Sequence, residues 1–295
     1  MELRVLRYFL AVAREQNITA AANFLHVSQP TLSRQLMDLE EEFGKTLMIR
    51  GKRKITLTSD GQLLRKRAEE LIALADKTEA EMTFSDTEIG GDIYIGGGEA
   101  DAVRLVAKLA RDIQKHYPNI HYHLTSGDAD DLQEKLDKGL IDFGIFVEPA
   151  DITKYEFIRL PATERWGILM RKDSPLANKT IIYPEDIWDL PLIISRQTTQ
   201  DKTIQKWMQR DISLLNITAT YNLFYNAALM VEEGLGYMIG IDKLANTSGS
   251  SNLCFVPLAL DYRIHFDLVW KKYQTFSRAA ELFLKTMRDN FEMFS

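Results

Sequence analysis

Gln29, Ser33 and Arg34 supply side chains able to read a base pair: a carboxamide that matches adenine, a guanidinium that forks onto guanine, and a hydroxyl. They lie in Thr19-Ala-Ala-Ala-Asn-Phe-Leu-His-Val-Ser-Gln-Pro-Thr-Leu-Ser-Arg34, whose other residues decide how these groups are presented. Ser28 is a helix N-cap residue, and Pro30 falls in the first turn, where a missing N–H breaks no internal hydrogen bond. Leu32, Leu36, Leu39 and Phe43 then recur at helical spacing on one face. Pro30, Arg34, Met37 and Asp38 point away from that stripe, and Thr31 and Ser33 flank the outward face. Gln29 stands at the N-terminal end, which a recognition helix pushes toward base edges in the major groove. Upstream, Ala20, Ala21 and Ala22 let another helix approach closely, Phe24, Leu25 and Val27 form an apolar plug, and the break falls at His26-Val27. This is a helix-turn-helix pattern. Taken alone it leaves open an ordinary helical hairpin with a capping serine and solvated Gln29 and Arg34.

The next segment of the chain favours nucleic acid. Arg50-Gly-Lys-Arg-Lys54 is a basic turn, and Ile55-Thr-Leu-Thr58 alternates as a short strand does. Strand, turn and strand make a wing that lays Arg50, Lys52, Arg53 and Lys54 along a phosphate backbone, adding affinity but little sequence information. Residues 1–70 carry 12 Lys/Arg against 9 Asp/Glu, whereas the whole chain has a net charge of −6. A modestly basic head on an acidic body argues against nucleic acid coating the entire surface.

Enzymatic and metal signals fail on inspection. Gly44-Lys45-Thr46 imitates the end of a phosphate loop, but Leu39 stands where the earlier glycine belongs. Gly96-Gly97-Gly98 lacks the third spaced glycine of a dinucleotide fingerprint. His121 and His123 share a strand face without a third ligand at metal-binding spacing, so they read as surface histidines. There is neither a Gly-x-Ser-x-Gly elbow nor a His-Glu-x-x-His helix. The expectation is a protein that is not an enzyme and needs no cofactor or metal. Cys254, the single cysteine, sits in an apolar run and reads as a buried structural thiol. No apolar run approaches the ~20 residues of a membrane span, and the start lacks the pattern of a signal peptide, so a cytoplasmic protein is expected.

With 295 residues, 45% of them hydrophobic, the chain has room for about two domains. Phe9, Val12-Ala13, Thr19-Ala20-Ala21, Leu25, Ser28-Gln-Pro-Thr-Leu-Ser33, Leu39-Glu40, Phe43-Gly44, Leu47, Arg50, Leu57-Thr58 and Gly61 together resemble the LysR-type transcriptional regulators in order and spacing. Asn17-Ile18 and Met48 depart from the common residues without disturbing the pattern. The resemblance implies an N-terminal all-α winged helix-turn-helix domain over 1–58 that binds double-stranded promoter DNA, with Ser28, Gln29, Pro30, Thr31, Ser33, Arg34, Arg50, Lys52, Arg53, Lys54 and Thr58 as its contact set. A linker helix and hinge occupy 59–90. The helical stripe Leu63, Leu64, Ala68, Leu71, Ile72, Ala75 and Met82 calls for an apolar partner, which the resemblance makes the same helix of a second subunit. The charged flank Arg65-Lys-Arg67 and Glu69-Glu70 favours such a pair over packing on its own head. A homodimer, assembled further into a homotetramer, is expected.

From Asp92 onward, strand and helix patterns alternate: Asp92–Gly98, Asp101–Tyr117, Ile120–Thr125, Asp130–Leu140 and Phe143–Val147. Such alternation predicts a parallel sheet with crossover helices. By resemblance, 91–295 is a C-terminal α/β two-lobed, periplasmic-binding-protein-like (type II) effector domain. Lobe I covers about 91–160 and 267–295, with the last helix at Ser277–Phe291, and lobe II covers about 161–266. Ligands in such folds sit at the carboxyl ends of strands, in the crevice between lobes. That rule selects Gly97, Gly98, Glu99, Thr125, Ser126, Arg196, Thr198, Thr199, Asn222, Phe224 and Tyr225. Hydroxyls and helix N-termini favour a carboxylate, and Arg196 can pair with one. Glu99 stands where the family commonly has Ser or Thr and would repel an anion, which leaves a zwitterionic or cationic effector, or none, open. The expected function is sequence-specific promoter binding modulated by a small molecule. The alternatives are an effector-independent regulator with an occluded cleft and a small-molecule-binding protein whose N-terminal helices are only an interaction module.

Overall fold

Phe9, Val12, Ala21, Leu32, Leu36 and Leu39 close into one apolar core in the computed structural model, which describes residues 1–51, 54–83, 89–148, 150–196, 198–199 and 201–291. This core belongs to the first of two compact units, Met1–Thr83 and Phe84–Ser295. Helices α1 (Leu3–Glu15), α2 (Ile18–Phe24) and α3 (Gln29–Phe43) surround it, followed by strands β1 (Met48–Arg50) and β2 (Ile55–Leu57) and helix α4 (Ser59–Thr83). Asn17 caps α2 by accepting the Ala20 N–H at 3.0 Å, and Ser28 caps α3 by accepting that of Thr31 at 3.3 Å. Between the two helices His26 takes a left-handed φ of 54°. Ala21 and Ala22 are buried at the close approach, whereas Ala20 faces out.

Two apolar expectations need correction. Phe24 is 56% exposed and lies under the Arg14 guanidinium, 4.0 Å from its ring centre, so the plug is made by Leu25 and Val27. Phe43, the last residue of α3, is likewise exposed, because the helix has by then run past the core. The Glu40 carboxylate accepts the N–H groups of Leu47 and Met48, at 2.7 and 3.1 Å, and fastens β1 to α3. At Gly61, in the first turn of α4, a Cβ would fall 2.0 Å from the Leu47 carbonyl oxygen, so only glycine lets α4 start there.

The stripe on α4 divides. Ala68 is buried and Leu64 packs on the head core, while Leu63, Leu71, Leu74 and Met82 are exposed. Arg7 of α1 pairs with Asp76 at 2.5 Å and ties α4 to its own head. The charged flank pairs along the helix itself, Arg65 with Glu69 and Arg67 with Glu70, both at 2.9 Å.

The second unit holds two five-stranded sheets. In the first, β3 (Gly91–Gly97) runs parallel to β4 (Ile120–Ser126) and β5 (Phe143–Val147). Helices α5 (Val103–His116) and α6 (Ala129–Asp137) connect them. Next come β6 (Tyr155–Glu164), β7 (Trp166–Arg171), β8 (Leu192–Ser195), α7 (Lys202–Met208), β9 (Ile217–Tyr221), α8 (Phe224–Glu232), β10 (Tyr237–Ile241), β11 (Leu253–Pro257), β12 (Ile264–Lys271) and α9 (Arg278–Phe291). The sheets are ordered β4-β3-β5-β12-β6 and β11-β7-β10-β8-β9. The strands read from the alternation, β3, β4 and β5, are parallel as expected, but neither sheet is parallel throughout. β12 returns from the second sheet and pairs antiparallel with both β5 and β6. The chain therefore crosses between sheets twice, at Glu164-Arg165-Trp166 and between Pro257 and Ile264. Among the described residues no helix is long and apolar enough to cross a membrane.

Candidate nucleic-acid interface and interlobe cleft

The Ser28 hydroxyl is occupied by the N-terminus of α3 and by the Thr31 hydroxyl at 2.7 Å, so its work is to cap the helix. That cap leaves Gln29, Pro30, Thr31 and Arg34 exposed on the outward face, with Ser33 half-buried beside them. The wing meets this face directly, because Arg50 at the end of β1 donates from Nη1 to the Ser33 hydroxyl at 3.4 Å. Arg50 and Lys54 are exposed at the two sides of the turn, and Lys52 and Arg53 lie outside the described residues. Thr58 is a correction to the contact set. Its hydroxyl donates toward the carbonyls of Thr46 and Leu47 and accepts the N–H of Gly61 at 3.0 Å, so it starts α4 instead of facing outward.

The second unit forms a cleft where the carboxyl ends of β3 and β5 face those of β8 and β9 across the crossover. Gly98, Glu99, Asn222 and Phe224 line it as the strand-end rule predicts, with Ser195 at the start of the turn after β8 and with Asp128, Phe146, Trp166 and Tyr221, which sequence reasoning did not select. Trp166 carried one usable signal, as the first residue of a strand immediately after the crossover; Asp128 looked like an ordinary helix cap. Gly97, Thr125, Ser126 and Tyr225 line an adjoining opening with Leu124, and Arg196 lines a third, acidic one that shares Asp128 and Trp166 with the main cleft.

Thr198 and Thr199 leave the set. The Thr198 N–H donates to the Ser195 hydroxyl at 2.9 Å and the two hydroxyls pair at 2.6 Å, while the Thr199 hydroxyl donates to the Arg196 carbonyl. Both shape the turn after β8, and Thr199 opens onto a different depression.

Glu99 spans the cleft. Its Oε2 accepts the backbone N–H of Phe224, the first residue of α8, whose N-cap residue Leu223 supplies no side-chain acceptor. A carboxylate of lobe I thus caps a helix of lobe II, at the helix N-terminus where the partial positive charge lies. Beneath it the Tyr221 hydroxyl donates to the Ile239 carbonyl at 2.8 Å. Burial, helped by the nearby Glu99 charge, pushes that phenol well above its usual range. Among the described residues, the indole N–H of Trp166 in the cleft and Oδ2 of Asp201 in the acidic opening have no hydrogen-bond partner, and both side chains are buried. The other Asp201 oxygen caps α7 through the N–H groups of Thr203 and Ile204.

His123, on the same strand face as exposed His121, stacks on Tyr94 at 4.7 Å and bonds Asp92 at 2.9 Å. Among the described residues no group of three His, Cys, Asp or Glu side chains is placed to hold a metal. The geometry provides an exposed polar face on α3 beside a basic turn and, separately, a cleft lined by polar and aromatic side chains.

Comparison with known proteins bears on both. Residues 3–62 match the family described as bacterial regulatory helix-turn-helix protein, lysR family, and residues 87–292 match the LysR substrate binding domain. The chain is 28% identical to the HTH-type transcriptional regulator AlsR of Bacillus subtilis, over 98% of this chain and 91% of that one. It is also 28% identical to the Hca operon transcriptional activator HcaR of Escherichia coli, over 92% of each. Among solved structures, full-length CbnR in complex with its target DNA superposes with a TM-score of 0.76 at 21% identity, over 98% of this chain and 99% of that one. This last likeness speaks to the fold.

Proposed function

The chain belongs to the LysR family of bacterial regulatory helix-turn-helix proteins, and from that premise we propose how this regulator reads DNA and is controlled. It is a DNA-binding transcriptional regulator with a substrate-binding domain. In our reading α3 enters the major groove of promoter DNA, with Gln29, Thr31, Ser33 and Arg34 toward base edges and Pro30 against the groove wall. Arg50 and Lys54, with Lys52 and Arg53 of the same turn, follow the phosphates. The domain plan is 1–58 for the head, 59–90 for the linker and hinge and 91–295 for effector binding. The exposed Leu63, Leu71, Leu74 and Met82 support pairing of α4 with the same helix of a second subunit. Two such dimers form a homotetramer, and the protein acts in the cytoplasm. A small molecule in the interlobe cleft shifts lobe closure and, through subunit packing, the placement of paired heads on DNA.

The observation that carries the DNA reading is the Arg50–Ser33 contact, which aligns the basic turn with the outward face of α3. Footprinting of the purified protein on its source DNA at two salt concentrations tests it. Paired half-sites are expected, and Arg34→Ala should weaken them by about 1–3 kcal/mol at one base position. Lys54→Ala should weaken all sites alike and flatten the salt dependence. Diffuse binding unchanged by both substitutions would defeat the reading. A second reading, regulation without an effector, is favoured by the Glu99–Phe224 clasp, which fills the N-terminus of α8 with the chain's own carboxylate.

A further inference from the structure

Carboxylates dominate the cleft and the acidic opening that joins it. Among the described residues Glu99, Asp128, Asp130, Glu148, Asp151 and Asp201 line them, against the single guanidinium of Arg196. Two of these acids are already answered: Glu99 by the Phe224 N–H and Glu148 by Arg159, at 2.6 Å. Asp128, Asp151 and Asp201 each spend Oδ1 on a local turn or cap. Asp201 is only 4% exposed, yet its Oδ2 has no partner. A buried carboxylate oxygen left unpaired is costly, and a donor brought in by a ligand would relieve it. The adjoining cleft suits the body of such a ligand, because Trp166 lines both it and the opening at Asp201, and Phe146 and Phe224 add aromatic surface farther along the cleft. Aromatic faces attract cations. The unpaired indole N–H of Trp166 offers one donor for an acceptor elsewhere on the ligand.

The arrangement is poor for an anion. The N-terminus of α8, the natural seat for a ligand carboxylate, is filled by Glu99. An anion entering past Asp128, Asp130 and Asp151 would meet like charge in a partly desolvated passage, where repulsion is weakly screened.

We propose that the interlobe cleft takes a small organic cation, an ammonium or amidinium group on an apolar body, and rejects the matching carboxylate. The proposal rests on reading the cleft as the effector site, and it selects the cation from the carboxylate, zwitterion and cation that the sequence left open.

Calorimetry on the full-length protein with matched probes of equal shape tests it: phenethylammonium, phenylethanol and phenylacetate, then the same three head groups on alkyl bodies. The ammonium members should bind at least about tenfold more tightly than the carboxylates, with the gap narrowing at high salt. Asp130 and Arg196 are both exposed, so changing them should leave the fold intact. Asp130→Asn should weaken the ammonium probe about threefold and Arg196→Gln should strengthen it about threefold, by the ordinary strength of a charge pair near a surface. Carboxylates binding more tightly than ammoniums would overturn the charge selection while leaving the cleft an effector site. Equal binding of alcohol and ammonium would also overturn the selection. No binding by any probe up to about 10 mM would defeat both readings.

Discussion

Replacing Glu99 by Ala should loosen the two lobes of the C-terminal unit by a measurable and reversible amount. The carboxylate supplies the side-chain cap of α8, since Leu223 offers none, and it does so from the opposite lobe. Losing a cap costs about 1 kcal/mol. Losing a charge at a partly buried helix N-terminus costs about 1–2 kcal/mol more. Part of that cap energy is local to α8, so about 2 kcal/mol is assigned to lobe closure, which corresponds to about a 30-fold shift in its equilibrium. Glu99→Gln keeps the acceptor and drops the charge, and should show about half the free-energy effect. Hydrogen exchange at the Phe224 amide reports the local bond, and small-angle scattering of the full-length protein reports opening. In the Ala variant exchange should accelerate by up to about 30-fold. Added acetate should slow it again by occupying the vacated helix end, whereas in the wild type acetate should have no such effect. Unchanged exchange at Phe224 in the Ala variant, or acetate acting equally on both proteins, would show that Glu99 does not hold the lobes together.

Burial and pairing elsewhere in the chain have consequences of their own. Glu164, 1% exposed at the crossover, accepts the Asp101 N–H with one oxygen and has no partner for the other, and burial raises its pKa to about 7. A carboxyl raised in the fold is fully tolerated below its unfolded value and costs stability as pH climbs through about 7. Glu164→Gln should therefore remove up to about 3 kcal/mol of stability loss between pH 5 and 8, and parallel urea-unfolding midpoints for both proteins across that range would contradict this. Arg159 bridges Glu148 and the buried Asp267, each at 2.6 Å. Arg159→Met should cost about 2–4 kcal/mol by stranding Asp267, and adding Asp267→Leu should recover much of it; a double variant no more stable than the single in chemical unfolding would argue against the stranded charge. Leu71→Asp combined with Leu74→Asp should reduce the sedimenting species to monomer while leaving the circular dichroism unchanged, because each exposed Leu can contribute about 1.5–3 kcal/mol when covered. Retention of the full-sized assembly would move the subunit interface away from this face of α4.

Much of the head was legible because its signals are local. Ser28, Pro30 and the Leu32, Leu36, Leu39 spacing act within a turn or two of the chain, and a cap or an apolar stripe needs no distant partner to be read. Phe24 and Phe43 were misjudged because periodicity gives the side of a helix but not how far the core extends along it. In the second unit the alternation of strands and helices gave the first three strands of lobe I, but not the antiparallel β12, whose paired residues lie a hundred or more positions earlier.

The cleft divides along the same line. The strand-end rule found Gly98, Glu99, Asn222 and Phe224, because a turn after a strand is visible locally. It wrongly added Thr198 and Thr199, since a hydroxyl near a cleft looks the same in sequence whether it faces a ligand or, as here, closes its own turn. The sequence by itself thus determined the helix-turn-helix, the wing and the alternating pattern of the larger unit, all through short-range propensity and burial periodicity. Only the tertiary structure decided that Glu99 caps a helix 125 residues away, that Asp201 is buried with one oxygen unanswered, and that acids gather around one cavity. Those are relations between side chains brought together by two chain crossings, and charge and hydrogen bonding act through that space irrespective of distance along the chain.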